Sequence, residues 1–587
     1  MYIHMSKPET VQQNSFYGGI SDDVRAITQS GFSITKLFDI FTNPNRLTPY
    51  RSFEADTETS VSATDLKQYF VKDFLYASAS AKLYGLGQTG AGLTKIVQKA
   101  DATTGLWTLP ASSEGNGAVK NGCLLEYKDY LWGFQGTTQV FKWGLLSGTP
   151  SITNSAGTVG TVYNTITAIS VVAGGTLYNV NDILYIDGGT GGTAIVASVS
   201  GGAVATVTLL EPGYNYSTGT KATTTSSATG SGCTIGVTTV ANTSATISSV
   251  AQGIIAKDDN GYIFYNNIVV RIYPSGTVQD QALKLPTNLK ITSVTNFGNY
   301  MAIGCSSTSS FNGVSKVFLW NLYSPDVQEV IDWGEGELRV LENIEGMIVG
   351  ITDRYLNNAT GAGRGSLIVQ GYSGGAPQVL KEVFTSKLNN ITMPTSKAVK
   401  NNRLFFTAKI MTNDAGTEYN EGLWSFGRKN ANYPFALSLD YVSENISTSG
   451  IQSFGSAGNF FFISHSGDGS VDKTNDSAVY TMTSVLETQV LNFKSTELDK
   501  RLESFKVSFR RMASGESITV KYKVDGATSF TTIGTFDTDN ALSKTFVREE
   551  TANKDFASGR EFIFRIESTG GAEITGWLAI ATPLSNP

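Results

Sequence analysis

Short runs of Val, Ile, Thr, Tyr and Phe, broken by Gly, Asn, Asp and Ser, fill most of the 587 residues, and apolar residues seldom recur at the i, i+3, i+4, i+7 spacing of a helix. The pattern predicts an all-β chain rich in hairpins. Short helices are expected only at residues 21–25 and 63–69. One unit recurs: a turn residue, a short apolar strand, a polar loop, then a second strand with a bulky apolar pair. Its copies are Phe74–Tyr76 with Leu83 and Tyr84; Asp129–Trp132 with Val140–Trp143; Gly261–Phe264 with Val269–Tyr273; Asn299–Ala302 with Val317–Trp320; Gly346–Val349 with Leu367–Val369; Asn402–Phe405 with Leu423–Phe426; and Asn459–Phe461 with Ala478–Tyr480. From the third copy on, the second strands lie about 45 to 60 residues apart, near the period of propeller repeats. A four-stranded blade cannot bury both faces alone, but blades packed around an axis cover one another. The expectation is a β-propeller of about seven blades, six to eight being compatible; unrelated hairpins in stacked sandwiches are the competing architecture.

Three stretches break the repeat. Residues 151–245 are rich in Gly, Thr, Ser, Val and Ala and nearly free of charge, and they contain a duplication: Ile166–Tyr178 parallels Val204–Tyr216, and Gly192–Ile195 parallels Gly232–Ile235. This predicts a small inserted β-domain with two related halves, projecting outward from the propeller of residues 67–150 and 246–486. Residues 487–587 alternate cleanly in Phe505–Phe509, Ile518–Val524 and Phe562–Ile566, with a tight turn at Asp525-Gly526, and predict a β-sandwich. Residues 1–66 are polar and broken by Pro44 and Pro49, and are read as an arm wrapped over other surfaces.

Composition narrows the chemistry. Charged residues make up 16%, against about 25% in ordinary domains, and 44 basic against 50 acidic residues leave −6, which argues against a basic nucleic-acid-binding surface. Only two histidines, His4 and His465, leave little room for histidine-ligated metal or histidine acid–base catalysis. Cys123, Cys233 and Cys305 form no CxxC and read as free thiols of a reducing compartment. No secretory leader is visible in Met1–Thr10, and no apolar run approaches the roughly 18 residues of a membrane span. Neither a cofactor nor a metal is expected.

Each motif with chemical potential has a plainer reading. Gly85, Gly87 and Gly90 match G-x-G-x-x-G, but a strand follows where a phosphate-binding helix would be needed. Asp332, Glu335 and Glu337 would suit glycoside hydrolysis only if they converged; a solvated loop is the plainer reading. Asp468, Asp472, Asn475 and Asp476 are oxygen-rich but lack the order of a calcium loop, and Lys257–Gly261 reads as a turn. His465 between Ser464 and Ser466 cannot form a dyad with either, because neighbours on a strand face opposite sides. Tyr178, Tyr185, Tyr214 and Tyr216 flank glycine turns of the insert and are candidate contact residues for sugar or protein, core packing being the other reading. No catalytic residue is expected, and the chain is read as not an enzyme.

The opening Phe16–Arg25, followed by Phe38–Leu47, resembles the N-terminal segment of structural tail proteins of tailed bacteriophages. The insert, with Gly-Gly-x-Leu-Tyr178 and Glu211-Pro-Gly-Tyr214, is similar to a glycine-rich β-module of phage virion proteins, and the propeller resembles that of the podovirus tail nozzle. The resemblance implies a homo-oligomeric ring, six-fold in the nozzle family, below the portal and adaptor, near tail fibre or spike proteins, around the DNA exit channel. It implies assembly in the host cytoplasm and a place in the virion tail. A charge-poor acidic surface would let DNA pass without tight binding. The alternative is a receptor- or glycan-binding tail protein that touches the host surface.

Overall fold

The computed structural model describes residues 8–20, 31–32, 34–51, 53–56, 71–99, 106–120, 123–226, 229–244, 246–307, 313–355, 365–385, 396–411, 419–442, 451–465, 471–474, 480, 482–493, 497–547, 556 and 558–584. Every regular element among them is a β-strand. The two expected helices, at residues 21–25 and 63–69, lie outside the described residues.

Among the described residues seven antiparallel blades follow one another, here called blades 1 to 7: blade 1 has five strands, blade 6 is the four-stranded end of a larger sheet, and the others have four. Their first strands are Asp73–Ala77, Leu125–Tyr127, Val250–Ile255, Leu289–Phe297, Glu337–Ile344, Lys397–Lys400 and Ile451–Ala457. Neighbouring blades touch through these first strands or the strand beside them, and the cycle closes from blade 7 to blade 1. Apolar clusters fall between blades. Phe74, Trp107, Phe462 and Val471 join blades 7 and 1, Tyr84, Leu131 and Trp143 blades 1 and 2, and Tyr262, Met301 and Trp320 blades 3 and 4. The fold is a β-propeller, as the repeat predicts.

The turn residue that opens each repeat has a conformational cause. Tyr127 opposes Tyr130, Lys400 opposes Arg403 and Ile344 opposes Met347, so two-residue turns link the first and second strands of these blades. Lys128 and Asp129 (φ 49° and 66°), Asn401 and Asn402 (52° and 58°) and Glu345 and Gly346 (51° and 81°) all have positive φ, which Asn, Asp and Gly tolerate best. In these blades the repeat marks the second and third strands of a blade. The first copy is offset by one strand, because Phe74–Tyr76 lies in the first strand of blade 1. In blade 7 the third strand is Val471–Thr474 rather than residues 478–480, of which only Tyr480 is described.

The insert begins later than its composition suggests. Ser151–Thr158 pairs with Gln139–Gly144 as the outermost strand of blade 2, and an exposed edge strand of Ser, Thr and Gly looks like insert sequence. The insert is a six-stranded sheet in the order Thr161–Thr176, Ser231–Ser244, Gly219–Thr225, Ile183–Ile186, Thr190–Ser200, Ala203–Tyr214. Exchanging its two sequence halves leaves this order unchanged in reverse, so the duplication becomes a pseudo-two-fold. Its root is pinned: Val159 N–H donates to Thr138 O (2.8 Å), Ile247 N–H to Thr137 O (2.9 Å) and Gly160 N–H to Asp280 (3.0 Å).

The N-terminal arm is built into the other units. Phe53–Ala55 pairs with Val471–Thr474 and supplies the fourth strand of blade 7, closing the ring. Ile34–Lys36 lies between Ala436–Val442 of blade 6 and Ser484–Glu487 of the C-terminal unit, making one nine-stranded sheet from blade to sandwich. Glu9–Gln13 pairs with Ile574–Pro583 in the second sandwich sheet. Arm residues Phe16, Leu37, Phe38 and Leu47 share one core with Val349 and Phe406 of blades 5 and 6 and with Phe505, Phe564 and Trp577 of the sandwich.

Candidate functional sites

The insert's tyrosines separate into different environments. Tyr178 (3% exposed) and Tyr216 (1%) are buried, which corrects the expectation of contact residues at these two positions. They occupy equivalent places in the two halves. The Tyr216 hydroxyl donates to Ile186 O (2.7 Å) and accepts from Gly192 N–H (3.0 Å), and the Tyr178 hydroxyl accepts from Cys233 N–H (3.2 Å). A Cβ at Gly189 or Gly192 would strike the Tyr216 ring and one at Gly230 the Tyr178 ring, so these glycines make room for buried tyrosines. Tyr185 is 48% exposed, and of Tyr214 only the backbone is described. Val172, Leu177, Val180 and Leu210 are also exposed on this domain, whose charges are Asp182, Asp187, Glu211 and Lys221.

The acidic motif of blade 4 does not converge. Asp332 faces Lys316 (3.4 Å) and Glu335 faces Arg354 (2.9 Å), while Glu337 bridges Lys290 (2.6 Å) of the neighbouring blade and Arg339 (2.7 Å). Arg339 also holds Asp353 (3.0 Å), whose carboxyl burial pushes above its ordinary range. Gly85 sits in a strand, and its missing Cβ admits Val71 and Val97, so the glycine pattern serves packing. Asp258 caps its turn by accepting from Asn260 and from the Tyr262 hydroxyl (2.6 Å). His465 lies buried against Asp472 (2.9 Å); Asp468, Asn475, Asp476 and Ser466 lie outside the described residues. Among the described residues no three His, Cys, Asp or Glu side chains gather as metal ligands.

Three polar sites escaped sequence reading because their parts are far apart in the chain. Lys99 in blade 1 donates to both oxygens of Asp56 (2.9 and 2.7 Å), which also accepts from Trp107 Nε1 (2.7 Å), and the ion pair is fully buried beside the closing strand. Asp73, at the start of blade 1, accepts from Phe74 N–H (3.0 Å) and from Leu124 N–H (2.9 Å) of the chain entering blade 2; burial pushes its carboxyl up to about 7. Arg403 of blade 6 lies between the rings of Phe41 and Phe405 (4.5 and 4.9 Å) and reaches Asp440 and the Tyr50 hydroxyl (3.4 Å each). On the rim carrying the first hairpins, side chains tie blade to blade: Glu126 to Ser78 and Ala79, Lys128 to Asp259, Lys257 to Asn299, Asn343 to Asn296, Arg428 to Glu345 and Lys400 to Gly458. These groups brace the ring.

No family model matches the chain, and no curated protein does. Among solved structures it is similar to an exo-β-1,3-galactanase from Phanerochaete chrysosporium, at 11% identity over 91% of this chain and 100% of that one, TM-score 0.23. It is also similar to Sqt1 from Chaetomium thermophilum, at 9% over 73% and 100%, TM-score 0.33, and to BamB from Moraxella catarrhalis, at 14% over 57% and 82%, TM-score 0.25. Identities this low concern the fold alone. The likeness to a galactanase overturns the expectation that the chain is not an enzyme; it assigns neither a reaction nor a catalytic residue.

Proposed function

We propose that the chain is a structural component of a bacteriophage tail, a nozzle-like subunit that closes with its own copies into a ring, six-fold by resemblance, around the DNA exit channel. The observation that carries this reading is the joint between propeller and sandwich. One nine-stranded sheet and one apolar core run through blade 6, the arm and the sandwich and join the three. In a ring of seven blades the junction of blades 2 and 3, where the insert leaves, lies across the axis from blade 6, where the sandwich is joined. Opposite ends with different surfaces suit the head-to-tail contacts of a closed ring. The neighbours this reading implies are the portal or adaptor and the tail fibre or spike proteins, and a net charge of −6 suits a conduit that releases its DNA. Cryo-electron microscopy of the purified full chain and of tails tests it. A closed ring with an axial opening is expected; a monomer at every concentration, absent from tails, overturns it.

The second reading, contact with a host receptor or cell-surface glycan, is favoured by Tyr185, half exposed on a nearly charge-free domain. Its test is binding of host cell-wall glycan, which Y185A should weaken at least about fivefold.

A further inference from the structure

We infer that blade 3 carries a socket, Asp280 on the outgoing leg of the insert and Asn266 on the returning leg, that holds the insert at one fixed angle to the propeller. Among the described residues the insert's apolar cluster contains no propeller residue, and units joined without a shared core swing by default. The polar contacts at the root oppose that. Asp280 lies in Val278–Lys284, the outermost strand of blade 3, where Asp280, Gln281 and Ala282 together oppose Val270 of the neighbouring strand. Gln281 takes φ 55°, which glycine adopts at less cost. Such a bulge turns a side chain out of the alternation of its strand. Here one carboxyl oxygen accepts from the buried Gly160 N–H (3.0 Å) and the other from the Tyr265 hydroxyl (3.1 Å). Two donors on two oxygens call for a carboxylate, since an amide offers one acceptor atom. It is kept although burial pushes it above its ordinary range.

The returning leg is gripped from the next residue along. Tyr265 ends the second strand of blade 3, and Asn266 follows it in the turn to the third strand, at φ 48°. Its side-chain oxygen accepts from Ser248 N–H (3.0 Å), from the Ser248 hydroxyl (2.7 Å) and from Ser249 N–H (3.1 Å), and its amide donates to Thr246 O (2.9 Å). Asparagine tolerates the left-handed backbone and both donates and accepts, so one residue does all of this. The Asp280–Tyr265 hydrogen bond and the Tyr265–Asn266 peptide thus join both grips into one unit. That unit is tied onward to blade 4, where Ile291 N–H donates to Asn266 O (2.6 Å). The inference does not depend on the proposed tail function: a fixed angle serves a contact between copies and a contact with a host surface alike.

The test is the distance between two spin labels on the full chain, attached at S275C in blade 3 and T220C in the insert, both exposed positions; the three native thiols are buried. One narrow distance distribution is expected with the socket intact, and a broad one overturns the inference without any further variant. D280A/N266G removes both grips and keeps a residue suited to the positive φ. It should widen the distribution at least about twofold while the propeller's melting transition stays in place; an unchanged width overturns the inference. Should the double variant fail to fold, D280A alone decides. Hydrogen exchange of the Gly160 amide should then rise at least about tenfold, and unchanged exchange overturns the inference.

Discussion

At the scale of single residues, burial decides which charges matter. Among the described residues most ion pairs are partly exposed and contribute about 1 kcal/mol or less. Lys99–Asp56 is different, because both side chains are sealed and Trp107 completes the shell. Removing one partner strands the other, so K99M should destabilise the protein by about 3–5 kcal/mol, while D56L/K99M should recover most of that loss. Chemical denaturation of the three proteins separates the cases, and a double variant as unstable as K99M alone would contradict the argument. Asp73 gives a pH dependence of known sign. Its folded-state carboxyl titrates near 7, above the ordinary 3.8, so the fold carries the cost of a buried carboxylate above about pH 7. That cost fades as pH falls towards 4, each unit of separation being worth about 1.4 kcal/mol. The stability difference between D73N and the unsubstituted protein should therefore favour D73N more at pH 8 than at pH 5; a difference independent of pH would refute the assignment. Leu177 holds φ at 61°, a conformation costly for leucine, where the matching residue of the other half is Asn215 at 60°. L177N should stabilise the insert by about 1 kcal/mol, read from its own thermal transition, and an unchanged transition would leave no role for the strain.

At the scale of elements, local signals were legible in the sequence and distant ones were not. Hairpins such as Asp129–Trp132 with Val140–Trp143 announce themselves because strand, turn and return strand are contiguous and the turn demands a positive φ. The same signal misplaced the first copy by one strand, since Phe74–Tyr76 and Leu83 also alternate and turn. The duplicated halves of the insert were visible as sequence, yet Tyr178 and Tyr216 looked like contact residues because an aromatic beside glycine reads alike when it stacks on a ligand and when it fills a core. The arm could not be placed from sequence: Thr35 pairs with Leu486 and Glu54 with Lys473, across most of the chain, and two- or three-residue strands carry no periodicity. Its importance is testable at Phe53, fully buried between blades 6 and 7. F53A should cost about 3–5 kcal/mol, and it should raise hydrogen exchange first along Val471–Thr474, the strand that Phe53–Ala55 covers. Exchange spread evenly over all blades would mean that the arm does not close the ring.

At the scale of the whole molecule, the arrangement of cores predicts how the chain comes apart. The apolar cluster of the insert contains only insert residues, whereas the largest cluster runs without interruption through blades 5 and 6, the arm and the sandwich. Cooperative units follow shared cores. Propeller and sandwich, joined by one continuous sheet as well as by this core, should therefore melt together, and the insert should melt by itself. Calorimetry should resolve two transitions, whereas independent folding of all three units would give three. The boundary can be cut cleanly, because Thr161 and Ser244 are strand partners at the root and Val159 and Ile247 belong to the core between blades 2 and 3. Replacing residues 161–244 with a short glycine link should remove the smaller transition and move the larger by less than about 2 °C. The trimmed protein also divides the two proposed roles. If the insert is an outward display, its loss should abolish surface binding and leave ring assembly intact; if the insert joins neighbouring subunits, the trimmed chain should stay monomeric while its own propeller remains closed.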